Sequence, residues 1–188
     1  MRKFFVFMAV IVIGVALASS GLMAQSIILP KPVPKPAKPA APAQKIGVNL
    51  EGQFIAPGDS VMTLFSAIGM PDKIKAMRGK EKDQDYIMLS YYTYGIIADI
   101  HNEKNTIQGI LVQDNKVKVR GVPFQVGDNS ANVKQLWGTP EAEYAEEICY
   151  WKKGVYVGID GTGKISHLFL VEPNSDFQKE GRGQVGKL

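Results

Sequence analysis

Cys149, His101 and His167 are the side chains best suited to nucleophilic or metal chemistry, and four glutamates (Glu141, Glu143, Glu146, Glu147) add acid/base potential. A nucleophilic cysteine needs a partnered base, but the two histidines sit near hairpin turns, away from Cys149 in the chain pattern. Cys149 is the only cysteine, which rules out an intramolecular disulfide. It lies in the strand-like run Glu147-Ile148-Cys149-Tyr150-Trp151, where a thiol packs as a small hydrophobe. The histidines lack clustered cysteine or carboxylate partners, so no metal site is expected. Asp160 to Lys164 superficially resembles a calcium loop without its later ligands and reads as a hairpin turn. The glutamates read as an acidic solvent edge. No phosphate-binding loop and no Ser/His/Asp arrangement is present. The expectation is therefore a chain with no catalytic residues, no metal and no cofactor.

The remaining candidates are aromatic. In a strand successive side chains alternate between faces. If Ile87, Leu89 and Tyr91 point to a helix, Tyr86, Met88, Ser90 and Tyr92 point away. By the same count Ile148 and Tyr150 face inward, and Cys149 and Trp151 outward. Ile96, Ala98 and Ile100 correspond to Val155, Val157 and Ile159, which leaves Ile97, Asp99 and Tyr156 on the outer side. Tyr86, Tyr92, Trp151 and Tyr156 thus form an expected partner-binding face with the aromatic content of a recognition surface.

These faces must be positioned by a recurring set of elements. Gly58, Asp59, Gly69 and Pro71 recur 69 residues later as Gly127, Asp128, Gly138 and Pro140. Further on, Gly95-Ile96 answers Gly154-Val155 at a spacing of 59. The shorter spacing makes the charged run Asp72 to Asp85 a loop insertion. Asp59/Ser60 and Asp128/Asn129 are helix-capping types. Val61, Leu64, Phe65 and Ile68 make one apolar helix face, echoed by Val133, Leu136 and Trp137. Gly69 and Gly138 suit a left-handed helix stop, with a proline two places on. Strands are expected over 86–92, 95–100 and 106–113, then 144–151, 154–159 and 164–172. Two tandem repeats follow, 46–115 and 116–173. The expected fold class is α+β, each repeat a short capped helix packed on a small antiparallel β-meander.

This succession of Gly, Asp/Ser, a helix ending in Gly-x-Pro, Tyr/Trp, Gly-Ile/Val and a hairpin resembles the SmpA/OmlA (BamE-like) repeat of bacterial envelope proteins over residues 54–172. In tandem form it is similar to the β-lactamase inhibitory protein fold. The resemblance implies a non-catalytic scaffold, assembly factor or inhibitor. The chain departs from the lipoprotein members in having no cysteine near its leader.

The ends carry addressing information. Arg2 and Lys3, an apolar stretch from Phe4 to Leu17 and small residues up to Ala24 have the three-part layout of a secretory signal, 1–24, cleaved after Ala24. Residues 25–45 are a Pro/Lys-rich spacer with prolines at 30, 32, 34, 36, 39 and 42. Extended polyproline II over residues 29–44 reaches roughly 50 Å, and its lysines suit contact with a cell wall or anionic membrane. Residues 174–188 are a C-terminal tail. The net charge of +4 resides in these ends, since residues 46–172 hold 13 Lys/Arg against 16 Asp/Glu. A mildly acidic fold argues against nucleic acid as a partner. The expectation is an exported protein, periplasmic or extracellular and loosely associated with the envelope. It binds an envelope or extracellular protein through the aromatic face; the alternative is a cell-wall polymer or small ligand.

Overall fold

The computed structural model describes residues 44–78, 85–101 and 103–174. All described elements belong to one compact unit, Pro42–Leu188. The secretory signal, nearly all of the spacer and of the C-terminal tail, and the middle of the charged run lie outside the described residues.

Two short helices form where the capping pattern places them. α1 (Val61–Ile68) begins at Ser60, whose hydroxyl accepts from the Met62 N–H at 3.2 Å. α2 (Ala131–Trp137) begins after Ser130, with Asn129 Oδ1 accepting from the Ala131 N–H at 2.9 Å. The preceding aspartates close the turns that lead in: Asp59 accepts from Ala56 N–H and Asp128 from Gln125 N–H, at 2.8 and 2.7 Å. Both helices stop at a glycine in the left-handed region. Gly69 has φ 78° and Gly138 φ 89°, and each N–H returns to the carbonyl four residues back, Phe65 or Lys134, at 2.9 Å.

Eleven strands are described. β1 (Gly47–Leu50), β2 (Gln53–Ile55) and β7 (Val119–Arg120) make a small sheet in the order β2-β1-β7. The other eight are β3 (Lys73–Met77), β4 (Tyr86–Tyr91), β5 (Ile96–His101), β6 (Ile107–Val112), β8 (Ala142–Glu143), β9 (Glu147–Tyr150), β10 (Val155–Ile159) and β11 (Ile165–Val171). They form one antiparallel sheet ordered β3-β4-β5-β6-β11-β10-β9-β8.

The fold class expected from sequence is corrected here. The unit is mostly β, with sheets of three and eight strands and two helices of eight and seven residues, not two tandem helix-on-meander repeats. β6 and β11 pair directly, Leu168 opposite Val112 and Leu170 opposite Ile110, so the strands share one sheet. Val61 and Leu64 of α1, Val133 of α2 and Val48, Leu50, Ile55 and Val119 of the small sheet enter one core with Leu89, Ala98, Ile110, Ile148, Val157 and Leu168. Pairing between strands distant in sequence leaves no local signature, and very short strands show too few alternations to be recognised. The charged run is also corrected in part: residues 73–77 are the edge strand β3, not loop. Lys-Ile-Lys-Ala-Met alternates with the period of a strand.

The helix-facing side of the sheet is the large core. Tyr91 and Tyr150, both buried, donate their hydroxyls to the carbonyls of the helix-stop glycines, Gly69 at 3.3 Å and Gly138 at 2.8 Å. Trp137 stands edge-on to both Phe124 and Tyr150, with ring centroids 5.3 and 4.9 Å apart. A buried tyrosine adds a large apolar area while its hydroxyl keeps a partner.

Candidate functional site

The face assignment made from alternation holds in the structure. Leu89, Tyr91, Ile96, Ala98, Ile100, Ile148, Tyr150, Val155 and Val157 are in the helix-side core. Leu111, Cys149, Tyr156, Phe169 and Val171 make a second cluster on the opposite face, with Ile97, Ala142 and Trp151 packed against it.

That outer face holds the groups with chemical potential. Glu147, Gly158 and His167 are register partners across β9, β10 and β11. The imidazole lies over Gly158, where any Cβ would collide with the ring, so glycine leaves the space the imidazole fills, and its Nδ1 lies 3.0 Å from Ser166 Oγ. Burial pushes the His167 pKa below its ordinary value, and the Glu147 charge opposes that shift. Cys149 Sγ lies 2.9 Å from Glu147 Oε1. Glu147 thus accepts from the thiol and acts on the imidazole through its charge, a juxtaposition that chain spacing did not reveal. It is not an activated nucleophile: a thiolate is favoured by an adjacent cation and disfavoured by an adjacent carboxylate, and Cys149 is fully buried. Among the described residues no group of three His, Cys, Asp or Glu side chains is arranged to hold a metal ion.

Asp99 is the residue that sequence reading placed on this face without assigning it a role. It is 6% exposed and sits in register between Met88 on β4 and Gly109 on β6. Its burial pushes the carboxyl up to about 7. Tyr86 is raised in turn, by burial first and by the Asp99 charge second. The available signal was an aspartate inside the otherwise apolar run Ile96-Ile97-Ala98-Asp99-Ile100.

The four aromatics expected to form one recognition face separate into two pairs. Tyr156 is 6% exposed, its ring 6.1 Å from that of Phe169, and half-buried Trp151 packs on the same cluster. Tyr86, half-buried, lies opposite Met77 of β3. Tyr92, just past the end of β4, is 65% exposed, and its N–H donates to Asp72 Oδ2 at 2.7 Å. Asp72 ties Tyr92 to the chain entering β3, where Met70 is 72% and Ile74 58% exposed. Lys73 and Lys75 are exposed beside them. Three of the six large apolar side chains open to solvent among the described residues, Met70, Ile74 and Tyr92, thus belong to segments joined at β3, while Met62, Leu136 and Tyr144 lie elsewhere.

A cavity of about 960 Å³ lies near Trp137, Lys153 and Glu172. Two of its three lysines have structural duties. Lys153 Nζ donates to the Trp137 carbonyl at 2.8 Å and sits 4.2 Å from the centroid of the Trp137 ring. Lys45 is paired with Asp59 at 2.5 Å.

No family model matches this chain, that of the SmpA/OmlA repeat included, and no curated protein matches it. Solved structures similar to this chain include two secreted proteins. One is an extracellular protein containing a SCP domain from Bacillus anthracis str. Ames, 10% identical, covering 61% of this chain and 43% of that one with a TM-score of 0.44. The other is a cysteine-rich secretory protein from Staphylococcus aureus subsp. aureus Mu50, 18% identical, covering 62% and 44% with a TM-score of 0.46. This chain spans less than half the length of either. The expected resemblance to SmpA/OmlA repeat proteins is corrected accordingly: the structural neighbours are SCP-domain and cysteine-rich secretory proteins.

Proposed function

We propose that this is a non-catalytic exported protein, acting in the periplasm or outside the cell, that binds another protein at the β3 side of its large sheet. One observation carries the reading: Met70 and Ile74, which flank Asp72, and Tyr92, whose N–H donates to Asp72, are each more than half exposed. Single exposed hydrophobes are ordinary, but a group of large ones around an aromatic is the composition of a recognition surface. Tyr86 borders this surface, whereas Trp151 and Tyr156 support the sheet from the second cluster. In the Cys149–Glu147–His167 row the one nucleophile, Cys149, is fully buried beside a carboxylate, which favours binding over catalysis.

Photo-crosslinking tests the proposal. A photoreactive phenylalanine analogue in place of Tyr92 is expected to capture a discrete protein from the exported fraction, and the same analogue at exposed Lys118 is not. Identical adducts from both positions, or no protein adduct at either, would reject the surface.

A further inference from the structure

We infer that the partner adds a β-strand to β3, and that this strand alternates acidic with apolar side chains. The inference rests on the protein-binding reading above and gives it a mode. β3 is the terminal strand of the eight-stranded sheet, paired only with β4 among the described residues. Its first four residues are all exposed. A terminal strand offers a row of backbone donors and acceptors to any extended chain that lies alongside it.

The side chains of β3 select the strand that can dock. Lys73 and Lys75 point to one side and Ile74 and Ala76 to the other, because successive residues alternate. Ile74 lies opposite Leu89, on the helix side of the sheet, with exposed Met70 three residues before β3 begins. An added strand therefore meets ammonium groups on one face and an apolar shelf on the other. Acids on the first and aliphatic residues on the second satisfy both. A second copy of this chain is the wrong occupant: antiparallel pairing of two β3 strands about Lys75 sets the two Lys75 ammoniums opposite one another, and like charges in directly opposed positions are unfavourable. The same lysines that deter self-association thus make the edge selective for an acidic strand.

Two short capped peptides test the inference against the intact mature chain, one alternating Glu with Val and the other Lys with Val. The Glu/Val peptide is expected to bind saturably and to slow hydrogen exchange at backbone amides within residues 73–77. The Lys/Val peptide is expected to do neither. Lys73→Glu combined with Lys75→Glu changes two exposed side chains, and should weaken Glu/Val binding by roughly tenfold or more while admitting Lys/Val. Equal binding of both peptides, or Glu/Val binding without added protection in β3, overturns the strand-addition mode, as does no binding at all. In each of these cases continued capture of a protein at position 92 leaves the binding surface standing, so the two readings fail separately. A concentration-dependent dimer that protects residues 73–77 without any peptide would instead make a second copy the occupant.

Discussion

The two faces of the eight-stranded sheet follow different rules. The helix-facing side is apolar from β4 to β9, and its two buried tyrosines each place the hydroxyl on a helix-stop carbonyl. The opposite side mixes Leu111, Phe169 and Tyr156 with Asp99, Cys149, Glu147 and His167. A face that only had to hold a fold together would not retain a carboxyl at 6% exposure, because burying an ionisable group costs free energy unless it is compensated. The contrast teaches that stability is concentrated on one side and electrostatic sensitivity on the other. Substitutions can separate the two.

The largest effect is expected on the helix side. Tyr150→Ala removes a ring that packs on Trp137 and caps Gly138, and should cost about 3–5 kcal/mol in urea unfolding. A loss below about 1 kcal/mol would show that the two faces contribute alike and break the comparison.

Asp99 sharpens it from the other side. Its folded pKa, about 7, is above the ordinary 3.8, so between those values the folded state holds a proton that the unfolded chain has released. Stability should therefore fall as pH rises from about 4 to about 7 and level off above. Asp99→Asn removes that slope. It should stabilise by an amount on the order of a few kcal/mol at pH 8 and by little at pH 4. His167 acts in the opposite sense. Its folded pKa is depressed from 6.5 by burial, so its contribution is present above 6.5 and lost as pH falls below. Urea titrations across pH should thus show the variant keeping a mild loss of stability in acid. A variant with the parent's slope would place the titrating group elsewhere.

How much of this was legible in the sequence depends on the range of the interaction. The helix starts at Ser60 and Ser130, the glycine stops and six strands were readable within a residue or three, because caps, left-handed glycines and alternation are local devices. The face of each strand residue followed from the same alternation. The joining of β6 to β11 and the short strands β1, β2 and β7 were not legible, since they depend on contacts between residues far apart in the chain. β3 was missed because its lysines read as solvated loop, although edge strands favour lysine. At the site, alternation put Tyr92 and Tyr156 on one face. It could not reveal that one lies in an open turn and the other in a packed cluster. Glu147 and His167 meet only through the register of three strands.

A smaller effect is expected at the helix stops, which belong to the helix-facing side but contribute backbone geometry instead of area. A Cβ at Gly69 or Gly138 meets nothing within 4 Å, so the cost of substitution is conformational. Gly69→Val and Gly138→Val should each lower stability by roughly 1 kcal/mol or somewhat more, detectable as a shift in thermal midpoint. Peptide binding at β3 should be unchanged by Gly138→Val, because α2 lies at the other half of the chain from that edge. A selective loss of binding at unaltered midpoint would give that turn a functional role.

The smallest effect is expected where adjacent residues differ most. Tyr91 and Tyr92 have the same side chain and follow one another, yet Tyr91 is buried with its hydroxyl on Gly69 O, and Tyr92 stands in solvent. Tyr91 has its phenol pushed up to about 12 by burial, with the Asp72 charge adding to it. Tyr92 is held in place through its backbone, whose N–H meets Asp72, and that bond survives any side-chain change except proline. Tyr92→Ala should therefore leave stability within about 0.5 kcal/mol of the parent, as expected for a surface position without special contacts. Tyr91→Ala should cost several-fold more, because a buried ring and its hydrogen bond are both lost. The same Tyr92→Ala variant should lower retention of the captured partner by roughly tenfold or more if the ring is a binding anchor. Unchanged stability together with weakened capture assigns the ring to recognition. A drop in stability as large as that of Tyr91→Ala would instead make Tyr92 part of the packing, and the exposed edge would then have to bind through Ile74 and the β3 backbone.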